Sequence, residues 1–97
     1  MTEFSFIKKT LQEQKDALSA HYGVKEIGLF GSITKGTASR SSDIDILIDF
    51  HKTVDLFTFV YLKHHLSELL DAEVDLVMKD GLKPRIGERI LKEVEYI

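Results

Sequence analysis

The chain has 97 residues, 43% of them hydrophobic and 30% charged, with a net charge of −3 and no cysteine. That length supports one compact domain, residues 1–97, with a modest core and no room for a second; the acidic balance argues against a broad surface for long nucleic acids, and the absence of cysteine excludes disulfides and thiolate metal sites. The start Met1-Thr2-Glu3-Phe4 lacks the basic segment and apolar run of a signal peptide, and no stretch approaches the roughly 18 apolar residues of a membrane span, so a soluble cytoplasmic protein is expected.

Residues 3–20 place Ile7, Leu11 and Leu18 at helical spacing, which predicts an amphipathic helix with those three facing a core. Lys25 to Phe30 reads as a strand running into Gly31-Ser32, and the next few residues can open a helix. A strand that gives way to a helix at a small residue turns unsatisfied backbone N–H groups outward, which suits an anion. Ser32 adds a hydroxyl, Lys35 a mobile cation, and Gly36 a position where the chain can bend away. Taken alone, the commoner reading of this segment is an ordinary turn with Ser32 capping a helix. No Walker A sequence and no GxGxxG is present, so P-loop and Rossmann readings have no support.

Asp43-Ile44-Asp45-Ile46-Leu47-Ile48 alternates polar with apolar residues, the period of a half-buried strand. Asp43 and Asp45 then share one face while Ile44, Ile46 and Ile48 enter the core. Two carboxylates about 5 Å apart repel by roughly 3 kcal/mol at an effective dielectric near 20 and by under about 1 kcal/mol in water. Such a pair is tolerated when hydrated or when a hard cation neutralises it. Isolated, the motif is also what a solvated strand edge looks like.

Residues 55–71 predict a second helix with Leu56, Phe59, Leu62, Leu66 and Leu69 on its apolar stripe. Phe57, Val60 and Tyr61 lie off that stripe. Either the helix is buried on two sides, which is the first expectation, or it offers a patch to a partner. Val74 to Met78 reads as a strand that buries Val74 and Leu76 and turns Asp75 to the opposite face, next to the Asp43/Asp45 pair if the strands are neighbours. A third acid is what two metal ions about 3.5–4 Å apart require. Pro84 suits the first turn of a last helix. There Glu88, Glu93 and Glu95 with Arg89 and Lys92 read as a solvated face with local ion pairs. A local basic pocket around Lys35, Arg40, Lys83 and Arg85 stays open as an alternative site for a phosphate. The histidines His21, His51, His64 and His65 lack metal-ligand spacing, the adjacent pair pointing about 100° apart on a helix, and read as surface or interface residues.

A hydrophobic strand ending in Gly31-Ser32, ten residues, Asp43-x-Asp45 in a second strand, and the lone Asp75 between apolar neighbours together resemble the nucleotidyltransferase superfamily related to DNA polymerase β. Within it the chain is similar to the minimal nucleotidyltransferases, proteins typically encoded beside a HEPN-domain partner in prokaryotic toxin–antitoxin pairs. The resemblance runs over nearly the whole chain, through Asp55-Leu56-Phe57, Glu73 to Val77 and Leu82-Lys83-Pro84-Arg85. It departs at Lys35, where relatives often carry Arg, which keeps the charge but loses the two-pronged donor.

The resemblance implies an α/β (α+β) fold, a small mixed sheet with helices packed against it. It implies transfer of AMP from ATP to a hydroxyl, with Gly31, Ser32, Lys35, Gly36 and Ser42 around the nucleotide. Asp43, Asp45 and Asp75 would hold two Mg²⁺ ions, and Asp75 would also help to deprotonate the acceptor. The chain is too short to carry an acceptor-holding domain of its own, so the acceptor should belong to another molecule. The family implies a HEPN toxin modified on a tyrosine and neutralised by that modification. Two other readings are open: a non-catalytic antitoxin that covers its partner through the Phe57 and Tyr61 surface, and an enzyme that nucleotidylates a small molecule of the aminoglycoside type.

Overall fold

A computed structural model of the protein describes residues 4–35 and 43–97. Helix α1 spans Phe4–Tyr22, strand β1 Val24–Phe30, the single turn α2 Ser32–Lys35 and strand β2 Ile44–Phe50. Helix α3 spans Leu56–Leu70 and strand β3 Val74–Met78, followed by a 3₁₀ turn at Lys79–Gly81. Helix α4 (Pro84–Glu93) and the short strand β4 (Glu95–Tyr96) complete the chain. The sheet order is β3-β2-β1-β4. Strand β1 pairs antiparallel with both β2 and β4, whereas β2 and β3 run parallel. A parallel pair cannot be joined by a tight hairpin, and here α3 makes the crossover. The architecture is the mixed sheet with packed helices that the family resemblance implies.

Side-chain alternation divides the sheet into two faces. Ile44, Ile46 and Ile48 join Ile27, Leu29, Val74 and Leu76 on the face covered by α1 and α3, which contribute Ile7, Leu11 and Leu18, and Leu62, Leu66 and Leu70. Each such leucine or isoleucine gains roughly 1.5–3 kcal/mol over an exposed one. The opposite face was expected to be polar along β2, and the structure differs. Leu47 is fully buried there, packed with Phe30 and Ile90 and flanked by Val77, Leu82 and Val94. Helix α4 closes over this second face. Asp45 and Asp75 lie on this face beyond the residues that α4 covers.

Helix α3 begins at an N-cap, with Asp55 accepting the Thr58 N–H at 2.7 Å. Its apolar stripe is the expected one over most of its length, with Leu62 and Leu66 buried and Phe59 and Leu69 partly buried against the same core. Leu70 joins them fully buried, whereas Leu56, in the first turn, is 72% exposed. Phe57 is also 72% exposed, and Tyr61 64%, with Val60 beside them. The expectation of two-sided burial is therefore overturned, because α1 and the sheet pack on the side of this helix that carries Leu62, Leu66 and Leu70. No helix among the described residues is long and apolar enough to cross a membrane.

The C-terminal end is tied down. Ile97 N–H donates to the Ile27 carbonyl at 2.9 Å, and Lys15 Nζ donates to the Ile97 carbonyl at 2.8 Å. Gly28 permits this closure, since a Cβ there would stand 2.5 Å from Val94 Cγ2 and 3.3 Å from the Glu95 carbonyl oxygen. The turn from α4 into β4 is thus held against β1. That placement matters for Glu93, the last residue of α4.

Candidate active site

The site is built where β1 ends. Phe30 is the register partner of Asp45 across the antiparallel pair, so the next residue, Gly31, turns directly over the Asp45 side chain. Gly31 has φ +79°, in the left-handed region that β-carbons disfavour. A Cβ at this position would also overlap the Asp45 carboxylate. The turn is pinned by Thr34, whose N–H and hydroxyl donate to the Gly31 carbonyl at 3.1 and 2.8 Å. Ser32 opens α2, half-buried, and Lys35 ends it, exposed.

Asp45 and Asp75 are register partners on the parallel strands β2 and β3. Neighbouring strands lie about 4.8 Å apart, so side chains on one face at matched positions meet. Burial lifts the Asp45 carboxyl above its ordinary range, and the charges of Asp75 and Asp43 and a hydrogen bond with Asp75 add to the lift. Asp43 stands exposed at the approach to β2, where the Ile44 N–H donates to the Glu73 carbonyl at 2.9 Å and keeps the approach beside β3. Among the described residues no group of three His, Cys, Asp or Glu side chains is already gathered as a metal cage. The fold itself therefore brings together the Asp45–Asp75 pair, with Asp43 at its rim. Hard carboxylate oxygens, with that of Asp45 lifted by burial and by its acidic neighbours, are a donor set that suits a divalent cation.

Sequence reasoning missed one participant. Glu93 was read as part of a solvated helix face, yet it reaches across to the site. Its Oε1 accepts the Gly31 N–H at 3.2 Å and its Oε2 lies 3.2 Å from Lys35 Nζ. The hydrogen bond from Lys35, and then that from Gly31, hold the Glu93 carboxyl below its ordinary range. No local pattern could have shown this, since Gly31 and Glu93 are 62 residues apart. Lys83 and Arg85 sit at the other end of α4, a helix of ten residues spanning about 15 Å. They are not gathered with Lys35 as the basic pocket required. Gly36, Arg40 and Ser42 lie outside the described residues. A pocket of about 400 Å³ opens at the far ends of β2 and β3, lined by Asp49, His51 and Asp80 among others, and shares no residue with the acid site. The histidines are exposed except His65, whose ring lies 5.9 Å from that of Tyr22.

Residues 11–97 match the nucleotidyltransferase domain family. The chain is 44% identical over 95 residues to the protein adenylyltransferase MntA of Thermococcus cleftensis, covering 91% of this chain and 96% of that one. Its fold is similar to a solved structure assigned as a minimal nucleotidyltransferase, with a TM-score of 0.74, 36% identity and coverage of 90% and 92% of the two chains. It is also similar to a chain of a toxin–antitoxin crystal structure with AMP-PNP, at a TM-score of 0.71 and 28% identity, covering 96% of this chain and 70% of that one. The strand–glycine–helix turn over paired aspartates and the sequence match from residue 11 to the last residue lead to one assignment: this chain belongs to the nucleotidyltransferase family.

Proposed function

We propose that the protein is an antitoxin that transfers AMP from ATP to a hydroxyl, a tyrosine of a HEPN-domain toxin, with Mg²⁺ bound at Asp43, Asp45 and Asp75. The observation that carries this reading is the register pairing of Asp45 with Asp75, with the Gly31 turn lying directly on the Asp45 carboxylate. A relative that shares 44% of its residues is a protein adenylyltransferase, and a structural neighbour is a toxin–antitoxin structure with AMP-PNP, which supports ATP as donor. The HEPN partner and the tyrosine follow from the family resemblance.

In this reading the acceptor oxygen attacks the α-phosphorus, the bond to the β-phosphate bridging oxygen breaks, and pyrophosphate leaves. Asp75, exposed at the rim of the pair, takes the hydroxyl proton. The Gly31 N–H, Ser32 and Lys35 hold the phosphate tail, with Gly36 and Ser42 assigned to the same group. Magnesium, when bound, supplies charge neutralisation at the triphosphate and on the leaving oxygens. The chain's own contribution is positioning and a fixed field. Leu56, Phe57, Val60 and Tyr61 form an apolar face suited to a protein partner.

The test is incubation of the chain with ATP, Mg²⁺ and its partner, read by intact-protein mass spectrometry. Mass additions of AMP on the partner that vanish with Asp43→Asn are expected. Neutralisation of the partner with no added mass, unchanged in Asp43→Asn, would replace this reading with that of a covering antitoxin.

A further inference from the structure

The donors assigned to the phosphate tail already hold an anion. Gly31 N–H donates to Glu93 Oε1, and Lys35 Nζ pairs with Oε2, so one carboxylate spans the backbone donor and the cation together. A phosphate group presents the same chemistry, two or more anionic oxygens a short distance apart. Glu93 reaches this position because α4 ends there and the next residues are locked against β1 by the β4 pairing and the close packing of Val94 on Gly28. Its side chain is 23% exposed and Lys35's is 51% exposed, so the contact is open to water on one side and can exchange.

We infer that Glu93 is an internal competitor for the nucleotide's phosphate tail, a carboxylate that occupies the Gly31 N–H and Lys35 until a polyphosphate displaces it. The inference rests on the reading that Gly31 and Lys35 receive phosphate. Glu93 thereby sets the affinity of the site. It satisfies the two donors when no nucleotide is bound, and it must swing away or remain as a like charge beside the phosphates when one is. An exposed ion pair with one charge-assisted hydrogen bond is worth a modest amount, so its removal should tighten binding by roughly three- to tenfold. The displaced carboxylate also gives the nucleotide a route to the C-terminal segment, because Glu93 directly precedes Val94 and β4.

The experiment is calorimetric titration of wild type, Glu93→Gln and Glu93→Ala with inorganic tripolyphosphate and with a non-hydrolysable ATP analogue, each in magnesium buffer. Tripolyphosphate carries no nucleoside and no transferable AMP, so its binding does not depend on the chain being an adenylyltransferase. Both variants should bind tripolyphosphate and the analogue more tightly than wild type by the factor above, and the added substitution Lys35→Ala should cancel most of the gain. Equal or weaker binding in a variant whose circular dichroism shows the native fold overturns the inference, as does undetectable tripolyphosphate binding in all three proteins. A merely structural Glu93 would lower the melting temperature and leave affinity unmoved. Failure of AMP transfer to any partner while the tripolyphosphate series behaves as expected would overturn the proposed function and leave the competitor role standing.

Discussion

Asp45 is drawn partly out of water and faces two other carboxylates, and each effect favours its protonated form. Removing its charge should therefore relieve the metal-free fold while disabling the site. Asp45→Asn is expected to melt at the same temperature as wild type or slightly higher in EDTA, and to lose AMP transfer by at least about 100-fold; a transfer rate within a factor of ten of wild type would contradict the role. Gly31→Ala carries two penalties. The left-handed backbone costs an alanine about 1–2 kcal/mol, and the new methyl group must push the Asp45 carboxylate aside. Urea denaturation should show that modest loss, with nucleotide binding reduced by much more than the stability change accounts for. The acids and the glycine were legible as residues because their chemistry is unusual at those spacings. Glu93 was not, because acids at helical spacing from Arg89 and Lys92 look like every solvated helix face, and its partners Gly31 and Lys35 come from the other half of the chain.

The helix over residues 3–20 and the strand from Lys25 to Phe30 are found at Phe4–Tyr22 and Val24–Phe30, because periodicity marks the middle of an element better than its ends. Helix α3 has a definite start. The Asp55 carboxylate accepts the Thr58 N–H, which holds its carboxyl below the ordinary value of 3.8. A lowered carboxyl in the folded state stabilises the protein above the ordinary value, and that contribution is lost as the pH falls through the lowered one. Asp55→Asn keeps a capping oxygen without a titrating charge, so thermal melts taken from neutral pH down to about pH 3 should show a shallower acid-side decline than wild type. Asp55→Ala should lower the melting temperature at neutral pH by a few degrees. What the pattern of α3 could not reveal is where its cover stops. Phe59, Leu62, Leu66 and Leu69 of the expected stripe pack on the core, together with Leu70, but Leu56 stands 72% exposed in the first turn.

For the molecule as a whole, the two sheet faces serve different ends. One is sealed by α1 and α3, and on the other α4 covers Phe30 and Leu47 and leaves the acids at the edge of its cover. The outer side of α3 then presents Phe57 and Tyr61 to solvent. If the partner docks there, Phe57→Asp should weaken the complex by more than tenfold in a binding titration while changing the isolated chain's melting temperature little, since an exposed side chain has few internal contacts to lose. A full-strength complex with Phe57→Asp would place the partner elsewhere.

Alternation and helical spacing by themselves marked the main strands and helices, the entry of Ile44, Ile46 and Ile48 into a core, and Asp43, Asp45 and Asp75 as candidates for one site, but not β4, where Glu95 stands in a strand instead of on the helix face expected of it. Those properties follow from each residue's own polarity and from the repeat of its element, which are local. The tertiary structure decided the parallel register that sets Asp45 beside Asp75, the closing of α4 over Leu47, the exposed face of α3, and the reach of Glu93 to Gly31 and Lys35. Each of these depends on which surfaces meet once the chain has folded. Contacts across 62 residues leave no trace in local spacing, because the energy that selects them comes from burying whole faces together.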